Sequence, residues 1–491
     1  MAVPGRMTTI RTAALLSMGQ RYTAFLIGLV YAVVMARLMT PYETGIFSLA
    51  AGVIGIAHML RDFSVGDYIV QEKALTRERL RSALALSLIM AWTLAATLYM
   101  IADPIAGYYG EPGIAKVLDL LVVSFLLLPF GSITFAVLTK ELAFRAIFWV
   151  QTLSGLVGAG LGIALAYNGF SYMSMAWATV SSVATTVAIL AWIRPRETFL
   201  LPRLSGLSHV GRVGGILTVG GLMEQICRRA PDFFVAKTLG FNAVGIFSKA
   251  GSMVDAFQDF FSGAIVRVAL PAFAKRLKEG ADARDDYLNS LRLLAILPLG
   301  FFCFLALFAA PLVWVTFGPA WMDAVPLVRI ISVAGLLSAP YLFASAALTA
   351  KGQVRDVLWA QVLSGVVYVP LLWFASHFEL SAVAAAAVIQ VLAKTAILQR
   401  GMRLGFDLRV PEILCSAAPS AAVVALAAIA SAPALLIDDR TTVGALLALM
   451  LGAVIAVLTG LACLFAFAHP LAGELRGLGR HLVLHRKRQD H

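Results

Sequence analysis

Long apolar segments alternate with short polar corners along almost the whole chain. A helix that crosses a bilayer needs about 20 mostly apolar residues, because a hydrocarbon core of about 30 Å is spanned at about 1.5 Å per residue. On that measure the pattern predicts fourteen spans. The first six lie near residues 13–36, 42–62, 82–102, 117–138, 147–167 and 171–193. The next six lie near 213–236, 242–264, 291–315, 325–349, 356–376 and 380–399, and two more follow near 413–436 and 443–468. Gly, Pro and short polar runs mark the corners, as at Ala102-Asp103-Pro104 and Phe317-Gly318-Pro319.

One phrase occurs twice. Gly45-Ile46-Phe47-Ser48 returns as Gly245-Ile246-Phe247-Ser248, with Ala36 matched by Ala236 and Ala50 by Ala250 at the same offset. Both copies sit where two apolar helices meet at a polar corner, the signature of an internal duplication. Six spans separate the copies, and an even number returns the chain to the same side. The halves are therefore expected to run parallel, related by a pseudo-two-fold axis along the membrane normal. The pattern divides the chain into a six-helix bundle at 1–200, a second at 201–402, two further helices at 403–470 and a basic tail at 471–491. The predicted fold class is an all-α membrane protein of about 14 transmembrane helices, with two parallel six-helix repeats plus two C-terminal helices.

Composition and charge agree with this. Of 491 residues, 60% are hydrophobic and only 13% charged, against about 25% charged in soluble domains. The net charge of +12 does not point to nucleic acid, because the basic residues lie between the apolar segments. With the N-terminus in the cytoplasm, inside loops and tails hold 29 Lys and Arg and outside loops hold four. That asymmetry predicts that both termini are cytoplasmic. The short basic start, Met1 to Arg11, runs into an apolar segment without a cleavage signature, so it reads as an uncleaved first span. The tail, with Arg476, Arg480, Arg486, Lys487 and Arg488, reads as a segment lying on the anionic inner leaflet.

Catalytic and metal signatures do not occur. Cys227, Cys303, Cys415 and Cys463 lack CxxC or Cys/His spacing, which supports neither a disulfide framework nor a zinc site. There is no P-loop, GxSxG, HExxH or dinucleotide fingerprint. No catalytic, cofactor or metal residue is assigned, and the protein is not expected to be an enzyme.

The candidate chemistry is therefore carried by ionisable residues inside the spans, each of which costs about 2.5–3.5 kcal/mol at a helix centre. Span 7 holds Glu224, Arg228, Arg229 and Asp232. Glu224, Arg228 and Asp232 are spaced by four and form a stripe able to neutralise itself, with Arg229 turned about 100° from Arg228. Arg21, Lys249 and Arg329 have no acid three or four residues away. Lys249 also departs from the repeat, where its counterpart is Leu49. Arg21, Arg228, Arg229, Lys249 and Arg329 are the expected cationic, substrate-binding residues. Glu224, Asp232, Asp255 and Asp259 are candidates for ion coupling or charge balance. Gly155, Gly158, Gly160 and Gly162 allow close helix approach, and Pro129, Pro298, Pro340, Pro370 and Pro419 are expected to kink their spans.

These residues carry a family resemblance. Ala36-Arg37-Leu38-Met39-Thr40-Pro41-Tyr42-Glu43-Thr44-Gly45-Ile46-Phe47 resembles the first outer corner of the Wzx-type polysaccharide flippases. Ala243-Val244-Gly245-Ile246-Phe247-Ser248-Lys249-Ala250 is similar to its second-half version. Val268-Ala269-Leu270-Pro271-Ala272-Phe273 and Lys351-Gly352-Gln353 resemble the segments after spans 8 and 10. The likeness covers most of residues 8–400. It implies membership of the multidrug/oligosaccharidyl-lipid/polysaccharide exporter superfamily, with two bundles around a V-shaped central cavity. It implies a substrate of undecaprenyl-pyrophosphate-linked oligosaccharide, moved from the inner to the outer leaflet of the bacterial inner membrane for exopolysaccharide, capsule or lipopolysaccharide assembly. The partners implied are membrane lipid, the lipid-linked oligosaccharide, glycosyltransferases and a polysaccharide polymerase. No cofactor is implied, and coupling to H+, Na+ or the membrane potential stays open. The alternatives are a multidrug or metabolite antiporter of the same superfamily, or a non-transporting enzyme or scaffold of glycan assembly.

Overall fold

The computed structural model describes residues 4–62, 69, 76–198, 200–203, 207–257, 283–437 and 441–466. Among them there is no strand. The helices are α1 (Pro4–Leu38), α2 (Pro41–Asp62), α3 (Arg77–Tyr109), α4 (Gly113–Lys140), α5 (Phe144–Tyr167), α6 (Met173–Ile193), α7 (Leu207–Thr238) and α8 (Phe241–Phe257). They continue as α9 (Ala283–Leu294), α10 (Ile296–Leu307), α11 (Ala309–Thr316), α12 (Ala324–Ser338), α13 (Ala344–Ala350), α14 (Val354–Ala375), α15 (Leu380–Phe406), α16 (Val410–Ser431) and α17 (Thr442–Ala466). The chain is a multi-pass, all-α membrane protein.

Twelve helical stretches among the described residues are long and apolar enough to span, and they coincide with twelve of the fourteen segments expected. The count of fourteen is not reached on this measure. α7 is long enough at 32 residues, but the span expected at 213–236 within it carries four charges, Glu224, Arg228, Arg229 and Asp232. The described part of α8 is only 17 residues long. The Val268–Phe273 motif, Asp259 and the basic tail lie outside the described residues.

Prolines set the breaks in the second half. A helical proline clashes with the carbonyl four residues back. α9 ends at Leu294, four before Pro298, and α10 ends at Leu307, four before Pro311. The single span expected at 291–315 is thus three helices. Pro340 similarly sits in a 3-10 turn, Ala339–Tyr341, that divides α12 from α13. The buried Tyr287 hydroxyl donates to the Pro340 carbonyl at 2.9 Å. Pro129, Pro370 and Pro419, by contrast, lie within continuous helices.

Two compact units divide the chain at Ser248/Lys249, not at the 200/201 boundary expected from the repeat. The reason is that α7 packs along α2, inside the first unit. Nor does a break fall at 402/403: α15 runs through to Phe406 and is capped by Asp407 with φ of 50°. In the first unit α3 packs on α4, and α5 packs between α1 and α6. In the second, α15 packs on α12 and α14, while α16 and α17 pack along α9–α11. Tyr287, Leu291, Phe343, Leu348 and Met402 form the buried core of that unit.

The two copies of the repeated phrase touch within the first unit. A Cβ built on Gly45 would fall on the Phe241 carbonyl oxygen, and one on Gly245 would fall on the Pro41 carbonyl oxygen. One turn on, the Ser48 hydroxyl donates to the Ser248 hydroxyl at 2.6 Å. Residues 200 apart thus meet reciprocally, as across a local two-fold. The α2 side is held by a capping box: Thr40 N donates to Glu43 Oε2 at 2.8 Å, and Glu43 N donates to Thr40 Oγ1 at 3.3 Å. Glu43 also accepts from Ser171, and Tyr42 donates to Glu111. The α8 side starts at Gly240, whose φ of 85° suits glycine.

Replacing Gly245 with Val drives a side chain into backbone. It is expected to destabilise the protein by about 1–3 kcal/mol, read as a lower unfolding temperature in detergent. Gly251→Ala, where a Cβ meets nothing within 4 Å, is expected to change stability by no more than about 1 kcal/mol.

Candidate functional site

The charged stretch of α7 lies against a notched face of α2. A Cβ at Gly52 would stand 3.4 Å from the Phe233 ring and 3.6 Å from Arg229 Cδ. A Cβ at Gly55 would stand 2.6 Å from the Gln225 amide nitrogen and 3.9 Å from Arg229 Nε. The missing side chains therefore make room for a guanidinium and an amide at a helix interface. Gln225, Gly52 and Gly55 were not singled out from the sequence. The available signal was the spacing of Gly52 and Gly55, three residues apart, which puts two glycines toward one neighbour.

The ion pairing differs from the stripe expected. Asp232 is buried and pairs with Arg229, with 3.8 Å between Oδ2 and Nη1. Arg228 pairs instead with Glu224 at 4.0 Å, and both of those side chains are exposed. Arg229 Nε is buried without a hydrogen-bond partner among the described residues. Pro231 sits inside this segment, between Arg229 and Asp232, where a proline has no N–H to continue the helical ladder. A loosened helix thus carries one enclosed pair and one accessible pair on neighbouring turns.

The C-terminal end of α7 is fastened separately. The Tyr109 hydroxyl donates to the Phe233 carbonyl at 3.1 Å, and Lys237 Nζ donates to the Tyr108 carbonyl at 2.6 Å. Lys237 also sits over the Tyr108 ring, 4.2 Å from its centroid.

The remaining expected residues fall elsewhere. Arg21 is on α1, which packs on α5, whereas Arg229 is on α7, which packs on α2 and α3. Lys249, in the second unit, has its ammonium 5.3 Å from the Phe317 ring centroid and 5.5 Å from that of Trp321. Its charge therefore meets aromatic faces, a cation–π contact worth about 0.5–2 kcal/mol. The Gly318 corner, with φ of 95°, places those two rings. Arg329 is on the exposed face of α12, and Asp255 is half-buried on α8.

The model of a family described as polysaccharide biosynthesis protein matches residues 34–326. The chain belongs to this polysaccharide biosynthesis protein family. Among relatives, the lipopolysaccharide biosynthesis protein WzxC of Escherichia coli (strain K12) is 22% identical over 63% of this chain and 64% of its own length. The teichuronic acid biosynthesis protein TuaB of Bacillus subtilis (strain 168) is 23% identical over 64% of this chain and 65% of its own. The succinoglycan biosynthesis transport protein ExoT of Rhizobium meliloti (strain 1021) is 23% identical over 68% and 67%. The chain spans just under two thirds of the length of WzxC. In fold it is similar to the lipid II flippase MurJ in an inward closed conformation, with a TM-score of 0.72 at 12% identity, covering 93% of this chain and all of that one. A multidrug resistance MATE transporter of the MOP superfamily gives 0.57 at 19% identity, covering 78% and 94%.

The family match takes in the α7 charges, Lys249 and Asp255, and leaves Arg21 and Arg329 outside. Removing the Asp232 carboxylate strands the Arg229 charge, so Asp232→Ala is expected to cost about 1–3 kcal/mol. The double variant Arg229→Met/Asp232→Leu is expected to recover most of that loss, since an apolar pair of similar volume replaces a buried ion pair well. A thermal-unfolding double-mutant cycle in detergent checks this.

Proposed function

We propose that this protein moves an undecaprenyl-pyrophosphate-linked oligosaccharide from the inner to the outer leaflet of the bacterial cell membrane, supplying exopolysaccharide, capsule or lipopolysaccharide assembly. The observation that carries the reading is the charged segment Glu224–Asp232, held in a chain that belongs to a polysaccharide biosynthesis family and is otherwise built of apolar spans. A pyrophosphate bearing sugars cannot cross hydrocarbon unaided, because its polar groups would lose hydration. Arg21, Arg228, Arg229, Lys249 and Arg329 would offer it cations along the way. The guanidinium fork suits bidentate phosphate binding, and lysine acts as a point charge.

The lipid tail needs a different surface. In the second unit a cavity of about 370 Å³ lies between α10, α16 and α17. Leu297, Phe301, Val424, Ala427 and Val457 make its wall almost entirely apolar, which suits an isoprenoid chain. With both termini in the cytoplasm, outward movement of an anion gains about 2.3 kcal/mol per charge per 100 mV of inside-negative potential. Glu224, Asp232 and Asp255 are the candidates for added H+ or Na+ coupling. Glycosyltransferases and a polymerase are the partners this reading calls for. The antiporter alternative draws on fold likeness to the MATE transporter alone, at 19% identity.

In a host whose surface glycan depends on this gene, single Ala substitutions of Arg21, Arg229 and Lys249 are expected to lower export at matched protein level. Normal export from all three would refute the cationic path. Gly460 lines the apolar cavity, and a Cβ there meets nothing within 4 Å. Gly460→Leu is therefore expected to fill the cavity without clash and reduce export while leaving stability within about 1 kcal/mol.

A further inference from the structure

A second cavity, of about 450 Å³, lies in the first unit between α1, α2, α5 and α6. That is within the range of small-molecule sites, about 300–1,000 Å³. No acidic or basic side chain lines it. The polar groups that line it are uncharged: the Gln151 amide and the Thr179 and Ser182 hydroxyls, beside the Tyr31 ring. The Tyr31 hydroxyl is buried against Gly162 without a hydrogen-bond partner among the described residues. Gln20 of α1 donates to Gln151 of α5, tying the two walls together. Thr179 donates to the Met175 carbonyl at 3.0 Å, which leaves its oxygen able to accept. Phe47, with Tyr31, supplies aromatic surface.

An anion would find no cation on this wall, and a cation no carboxylate. A hydrocarbon chain would leave unused the hydrogen-bonding capacity that the amide and hydroxyls keep beyond their contacts within the protein. A ring with hydroxyl edges and C–H faces matches both the polar and the aromatic parts. Arg21 stands one turn before Ala24 on α1, on the same helical stripe as Ala24 and Gly28, which line the cavity.

We infer that the cavity between α1, α5 and α6 is a recognition site for a neutral sugar residue, with Arg21 placed at its end toward the phosphate to which that sugar is joined. The inference rests on the flippase reading above and names the part of the first unit that reads the glycan. Phe47 lies about 200° around α2 from Gly45, and Gly52 is within about 20° of Gly45. Different faces of α2 thus serve the uncharged cavity and the charged α7, Phe47 lying about 140° from Gly52 and about 80° from Gly55.

Gly28 allows a direct test, because it lines the cavity and a Cβ there meets nothing within 4 Å. The full chain in lipid nanodiscs is titrated with two probes. One is bare undecaprenyl pyrophosphate, and the other is the lipid-linked glycan extracted from a host lacking the gene. The wild type is expected to bind the glycan-bearing lipid more tightly. Gly28→Leu is expected to weaken that binding about tenfold and leave the bare lipid's affinity unchanged. Gln151→Leu, which keeps volume and removes the amide, is expected to act in the same direction and serves if Gly28→Leu does not fold. Equal losses for both probes, or no loss for either, would overturn the sugar assignment. Equal wild-type affinity for the two probes would overturn it as well. A wild type that binds neither probe would instead defeat the flippase reading.

Discussion

Backbone meets backbone where α2 and α8 begin, and this contact sets the geometry around it. The Phe241 carbonyl occupies the place of a side chain at residue 45, and the Pro41 carbonyl that of one at 245. Helices in lipid gain little from hydrophobic burial against one another, so close packing and polar contacts decide where they associate. Two glycines and a Ser48–Ser248 hydrogen bond supply both at one point. α7 then runs back along α2 and must fit whatever face α2 presents. Gly52 and Gly55 make that face deep enough for Arg229 and Gln225. The position of the charged segment thus follows from the approach of two corners.

The same contact explains why the compact unit ends at Ser248. The repeat in sequence marks where the duplication begins again, but helices are grouped by what they pack against. α7 is the first helix of the second repeat by pattern, and it is a neighbour of α2 by contact. α16 and α17 likewise lie outside the duplication yet pack along α9–α11. Their apolar cavity is shared with α10.

Much of this was legible in the residues. Runs of about 20 apolar positions marked the spans because hydrocarbon thickness leaves few alternatives. The Thr40-Pro41-Tyr42-Glu43 corner has the spacing of a capping box, though it was singled out only for its family resemblance. The Gly45 and Gly245 phrases announced a relation, though not that they would touch. The proline breaks were half legible: Pro298 was marked as a kink and Pro311 was not, and only counting four residues back gives the ends of α9 and α10. Partner choice was the least legible. Helical spacing allowed Asp232 to serve Arg228 or Arg229, and the face of α2 decided between them. Lys249 had no acid in helical reach, and its aromatic partners come from a corner about 70 residues away.

The substrate proposed for this protein is amphiphilic, and the chemistry of the chain can be set against its parts. A lipid-linked glycan has three parts with incompatible solvation: an isoprenoid chain, a pyrophosphate and sugars. Hydrocarbon suits the first, cations the second and uncharged hydrogen-bonding groups the third. The apolar cavity, the Arg-bearing segment of α7 and the uncharged cavity beside Tyr31 offer one surface of each kind. A drug antiporter for organic cations would want acids exposed in its binding surface. Here Asp232 is buried against Arg229, and the exposed Glu224 faces Arg228. Each acid of the segment is therefore already engaged by a cation on its own helix.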